Sequence, residues 1–115
     1  FDDKNRQILL NWQGKSTDRT PEFVLIPFFN QAVEEAESRN YIIVNNFFDL
    51  VYMNSSTINP IVQLIKLLKE KQIKSKIVYN KDLKWQKMTL STLNVFVSDD
   101  NLLEIEEVHK DWKLA

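Results

Sequence analysis

A chain of 115 residues, 43% hydrophobic and 11% aromatic, has enough apolar material for one packed core and too little length for a second domain. Its 15 basic and 16 acidic residues leave a formal net charge of −1, so there is no global basic field to attract nucleic acid. No cysteine is present, which excludes disulfides, thiolate nucleophiles and Cys-ligated metals, and the single histidine, His109, cannot supply a multi-histidine site. No apolar run approaches the roughly 20 residues of a membrane span and no signal peptide is visible, so the expectation is a cytoplasmic domain over residues 1–115 without metal or cofactor. The chain opens on Phe1 rather than Met, and Phe1 reads as the last residue of a preceding partner strand, with the N-terminus truncated.

Asp2-Asp3-Lys4-Asn5 has the composition of a hairpin turn. Ile8, Leu10 and Trp12 then alternate with Leu9, Asn11 and Gln13, the period of a strand with one buried face. Gly14, the only glycine, is expected to end that strand at a bend or a positive φ. Lys15 to Arg19 reads as an exposed loop. Thr20-Pro21-Glu22 is a helix opening, with a hydroxyl N-cap, proline at the first helical position and an acid in the first turn. Ile26, Phe29, Val33 and Ala36 share one face of the helix that follows. Pro27 lacks the N–H the ladder needs and predicts a kink or restart, with helix onward to about Asn40.

Tyr41 to Val44 is short, β-branched and apolar, as expected of a strand buried on both faces. Asn45-Asn46 is expected to interrupt it before Phe47 to Met53 continues. Asn54-Ser55-Ser56-Thr57 supplies four successive N-cap candidates, and Ile58, Ile61, Leu64, Ile65 and Leu68 form a helical stripe opposite Lys66, Lys69, Glu70 and Lys71. Pro60 is tolerable there because it falls in the first turn. Lys76 to Tyr79 is a short strand. Asn80 to Thr92 is ambiguous, with Leu83, Met88 and Leu93 inward if helical. Asp99-Asp100-Asn101 is a turn, and Leu102 to Val108 is a final strand with Leu103, Ile105 and Val108 inward. The tail through Ala115 reads as the start of another helix. Strands alternating with helices predict an α/β sandwich with a mainly parallel sheet, and an N-terminal antiparallel hairpin if Phe1 closes one.

The chemistry concentrates where the apolar run from Tyr41 delivers Ser55 and Ser56 to a helix start. Orphan N–H groups and the positive end of the dipole meet oxyanions there. On patterning alone these serines read first as caps, Thr57 as a cap or an early-helix packing residue, and Asn45 and Asn46 as partners for backbone groups at a strand end. Ile43-Val44-x-Asn46 followed by Leu50-x-Tyr52-Met53-Asn54-Ser55-Ser56 resembles the STAS family, named for sulfate transporters and anti-sigma-factor antagonists. Its signature is a buried strand with a terminal Asn or Asp, then an aromatic-Met/Ile-Asp-Ser-Ser-Gly turn into the second helix. The order of elements agrees from Ile8 to Ile105. Asn54 stands where that family usually has Asp, and Thr57 where it usually has Gly, which places the chain nearest a divergent Met-Asn-Ser-Ser subgroup of bacterial regulators.

The resemblance implies a STAS-like sandwich and a non-catalytic signal-transduction module similar to an anti-sigma-factor antagonist. Ser56 would be the phosphoacceptor, with Ser55 and Thr57 as alternates, and Asn46, Met53, Asn54, Ser55, Ser56 and Thr57 would meet the partner. That partner would be a kinase/anti-sigma factor with a histidine-kinase-like ATPase fold, opposed by a phosphatase. Two other classes stay open: a module holding a small anionic molecule or lipid at the helix N-terminus, and a structural dimerisation domain.

The remaining polar clusters read as ordinary surface. Glu104 and Glu106 share the solvent face of an alternating strand rather than forming an acid–base pair. Lys66, Lys69, Lys71, Lys74 and Lys76 form a basic run, most simply a solvated face and otherwise an aid to docking an acidic partner or nucleic acid. His109 is assigned to the surface. Trp12 is assigned to the core, and Trp85 and Trp112 are candidates for an exposed interface. No glycine-rich phosphate loop, Ser-His-Asp set or metal-ligand spacing occurs, so an enzyme is not expected.

Overall fold

The computed structural model of the chain describes residues 1–16 and 19–109. Within them lie strand β1 (Gln7–Ser16), helix α1 (Glu22–Arg39), strand β2 (Ile42–Met53), helix α2 (Ser55–Glu70), strand β3 (Ser75–Asn80), helix α3 (Lys84–Leu90), a 3-10 segment (Ser91–Phe96) and strand β4 (Leu103–Val108). Trp112 and the predicted C-terminal helix fall outside the described residues. The four strands form one sheet in the order β1-β2-β3-β4, with each neighbouring pair parallel. This is the expected α/β architecture.

Successive parallel neighbours joined by crossovers of one hand place every helix on the same face of the sheet. The core follows that rule. Ile8, Leu10 and Ile43 pack with Phe29, Val33 and Ala36 of α1 and Leu64 and Leu68 of α2. Phe47, Leu50, Met53, Ile77, Tyr79 and Leu103 pack with Ile61 and Ile65 of α2 and with Leu90 and Leu93. Each such side chain, once fully buried, contributes roughly 1.5–3 kcal/mol relative to an exposed one. The opposite face has a smaller cluster, Val44, Val78 and Val108 with Ile42 and Phe48 against it, and no helix residue takes part. β2 is therefore not sandwiched between helices as the apolar run suggested. Among the described residues, its second face packs only with side chains of the sheet itself.

Several local expectations are corrected. The N-terminal hairpin is reduced to one antiparallel bridge, Asp2 to Gln7, closed by the turn between them. Gly14 does not end β1. It has φ +71° inside the strand, between two register shifts that let β2 run two residues longer than β1 over their shared ladder. Such bulges increase twist and bend the longer strand. Asn45 and Asn46 likewise do not interrupt β2: they pair with Leu10 and Asn11 on one side and with Ile77 and Val78 on the other. Pro27 lies inside an unbroken α1, where it is exposed and the helix continues past it. Asn40, in the left-handed conformation at φ 58°, ends α1 where expected, its N–H donating to the Ala36 carbonyl. In α3, Met88 points outward at 64% exposure, and the buried positions there are Gln86 and Leu90, followed by Leu93. Val108 is buried, but on the helix-free face.

Candidate functional site

The site begins with the way β2 loses one neighbour. Its ladder with β3 stops at Asn46 opposite Val78, so from Phe47 onward the β3 side of the strand has no strand partner among the described residues. A buried backbone without partners is costly, and a side chain takes over. Gln86 of α3 is wholly buried. Its Nε2 donates to the carbonyls of Phe47 (2.6 Å) and Leu50 (2.8 Å), while its Oε1 accepts from the Asn80 N–H at 2.7 Å. One amide thus joins the end of β3 to the bulged part of β2 and steadies the strand that carries Tyr52 to Ser56.

Upstream, Trp12 Nε1 donates to Asn45 Oδ1 at 3.0 Å, and the Trp12 ring lies 5.0 Å from that of Phe47. Asn45 is 2% exposed, so the indole supplies the partner that a buried amide requires. This is a core role. Asn46, on the adjacent position, faces the helix-free side. There its Nδ2 donates to Asn11 Oδ1 and its Oδ1 accepts from the Phe48 N–H, each at 3.1 Å.

At the other end of β2, Met53 is buried in the helix-side core. Asn54 occupies the N-cap of α2 in an extended conformation, φ −80° and ψ 168°. Its carbonyl accepts from the Thr57 N–H (3.2 Å) and its Oδ1 accepts from Thr57 Oγ1 (2.9 Å). Thr57 is wholly buried, so its hydroxyl is part of the cap packing. Ser55 is exposed and Ser56 half-buried. Arg19, from the connection after β1, joins Ser56, Asn59, Pro60 and Gln63 around an open cavity of about 340 Å³.

The sheet is parallel, so the starts of α1, α2 and α3 all lie at its C-terminal end, where ligands and partners of open α/β sheets are generally met. Exposed apolar side chains are found at the same end: Phe23 (76%) and Val24 in α1, and Val51 and Tyr52 before α2. The Tyr52 ring lies 6.3 Å from that of Trp85, which is half-buried with an Nε1 that has no partner among the described residues.

Of the predicted site residues, Met53, Asn54, Ser55, Ser56 and Thr57 form one turn. Asn46 does not join them. It is set back by roughly 20 Å of strand at about 3.3 Å per residue, on the helix-free face. Three of the five lysines of the basic run are neutralised in separate ion pairs, Lys69 with Asp100, Lys71 with Glu37 and Lys76 with Glu106, while Lys66 and Lys74 are exposed. Glu104 is exposed and Glu106 half-exposed on the side opposite the helices, as expected, and His109 is exposed. Sequence reasoning did not single out Gln86 or Arg19. Gln86 was detectable in principle, because Leu83, Gln86, Leu90 and Leu93 recur at helical spacing and put a polar side chain on an apolar stripe. Arg19 lies in a polar connection without any period to mark it.

No protein-family model matches the chain, and no curated sequence matches it. No helix among the described residues is long and apolar enough to cross a membrane, and no group of acidic and histidine side chains among them is placed to hold a metal ion.

Proposed function

We propose that this chain is a non-catalytic regulatory module that binds a protein partner through the Met53–Thr57 turn and the first turns of α2, with phosphorylation of Ser56 controlling the binding. The observation that carries the reading is the setting of Ser56. It is a half-buried serine in the first turn of a 16-residue helix, lining an open cavity at the end of the sheet where Val51 and Tyr52 remain exposed. Exposed apolar groups beside polar ones are what a docking surface requires. Thr57, buried and bonded to Asn54, takes the structural part, and exposed Ser55 remains the alternate acceptor.

The partner, by the STAS resemblance, is a cytoplasmic kinase/anti-sigma factor with a histidine-kinase-like ATPase fold, and a phosphatase reverses its action. In the forward step the Ser56 Oγ–P bond forms as the bridging bond between the γ-phosphorus and the β-phosphate oxygen of a nucleoside triphosphate breaks. The hydroxyl proton passes to a base on the kinase and the nucleoside diphosphate leaves. This chain contributes the acceptor and its presentation. The phosphoryl group adds roughly −1.5 to −2 charges at neutral pH, which the helix N-terminus tolerates and a docked partner does not ignore.

The test is incubation with the partner kinase and ATP, read by intact mass. One phosphoryl group is expected on the wild type and none on Ser56→Ala. Equal incorporation by the two proteins would remove Ser56 from the mechanism.

A further inference from the structure

We infer that Arg19 is the intramolecular counter-ion for a phosphoryl group on Ser56, so that modification ties the Arg19 side chain to the first turn of α2. The inference rests on the reading of Ser56 as a phosphoacceptor and adds what that phosphate does next. Arg19 and Ser56 come from distant parts of the chain yet line the same open cavity. The cavity's other polar lining residues, Asn59 and Gln63, carry amide donors, and among the described residues no carboxylate lines it. The first turn of α2 has no acidic residue either.

Among the described residues, Arg19 is also free of a competing carboxylate, unlike the ion-paired cations. Arg39, Lys69, Lys71 and Lys76 each sit within 4 Å of an Asp or Glu oxygen, whereas among the described residues Arg19 makes no ion pair. A guanidinium presents parallel N–H donors that match two phosphate oxygens at once, a geometry an ammonium lacks. With Pro60 as its apolar lining residue, the cavity offers a dianion one planar cation and two amides. The phosphorylated state would then differ from the unmodified one in shape as well as charge. Arg19 would close over the cavity, and a partner that probes the turn through it would lose access.

The phosphate itself arises by the balanced transfer from a nucleoside triphosphate given above, but the test needs no kinase. Protein with phosphoserine placed at position 56 by genetic encoding is titrated by phosphorus NMR, whose ordinary midpoint for phosphoserine is about 6. With Arg19 present the midpoint is expected to lie lower than in phosphorylated Arg19→Gln by about half a unit or more, roughly a threefold change in proton affinity. Arg19→Lys should keep only part of that shift, because it retains the charge and loses the fork. Lys66→Gln, which removes an exposed charge elsewhere on α2, should move the midpoint far less. Equal midpoints for the wild type and Arg19→Gln overturn the inference, and so does a Lys66→Gln shift as large as that of Arg19→Gln. Failure of any kinase to modify Ser56 would instead defeat the proposed function, and this titration would not detect it.

Discussion

Gln86 Nε2 lies 2.6 Å from the carbonyl oxygen of Phe47, across the boundary where β2 leaves its ladder with β3. Its second bond, to the Leu50 carbonyl, and the bond it accepts from the Asn80 N–H make one side chain the substitute for a missing strand. Removing it leaves three buried backbone groups unpaired. Gln86→Leu is therefore expected to cost about 2–4 kcal/mol, several times the cost of Met88→Ala on the exposed face of α3. Gln86→Glu should also destabilise, since a carboxylate accepts from Asn80 but cannot donate to the two carbonyls. Urea unfolding followed by tryptophan fluorescence measures both, and a Gln86→Leu protein as stable as the wild type would contradict the assignment.

The Trp12–Asn45 bond predicts a coupled pair. Trp12→Phe keeps most of the ring packing but strands the buried Asn45 oxygen, and Asn45→Val strands the indole N–H. Each alone should cost about 1–3 kcal/mol, and the double substitution should cost at least about 0.5 kcal/mol less than their sum. Strict additivity in a double-mutant cycle would show that the two groups do not stabilise one another.

Adjacent residues in the α2 turn should respond unequally to loss of a hydroxyl. Thr57→Val removes the bond to Asn54 Oδ1 from a fully buried site and should cost about 1–2 kcal/mol. Ser56→Ala, at a half-buried position, should change stability by less than about 0.5 kcal/mol. Thermal denaturation of the two variants separates the structural hydroxyl from the one available to a partner.

Tyr79 provides a pH dependence. Burial, then the hydrogen bond from its hydroxyl to Glu107 and the charge of that carboxylate, push the Tyr79 phenol up to about 12. An unfolded chain releases this proton near pH 10 and the native state holds it, so between those values the unfolded state binds fewer protons and stability falls as pH rises. The contribution is complete below pH 10. A loss of about 1–3 kcal/mol is expected between pH 10 and 12, and Tyr79→Phe should flatten that segment of the stability profile. Urea midpoints taken across the range would refute the assignment if the two proteins fell in parallel.

Gly14 at φ +71° has open space around the position of an added Cβ, so Gly14→Ala should carry only the backbone penalty, about 1–2 kcal/mol, and Gly14→Asn less. A neutral Gly14→Ala, by urea denaturation, would mean the bulge tolerates a negative φ.

Local chemistry alone determined much of this protein. Period-two alternation and short apolar runs placed at least part of each of the four strands, helical spacing placed the first two helices, the alternation of strands with helices made the sheet parallel, and Asn54 to Thr57 marked the start of α2. Those features depend on neighbours a few residues apart, which a sequence displays directly. What the tertiary structure decided depends on residues brought together from far apart. Gly14 and the Asn45-Asn46 pair read as ends and interruptions, yet they lie within strands because a ladder neighbour or the Trp12 indole satisfies their backbone or side chain. The placement of α1, α2 and α3 on one face of the sheet follows from strand order, which no single segment encodes. Gln86 reads as a polar residue on an apolar stripe until the carbonyls of Phe47 and Leu50 are found against it. Arg19 reads as a loop cation until the fold places it in the same cavity as Ser56.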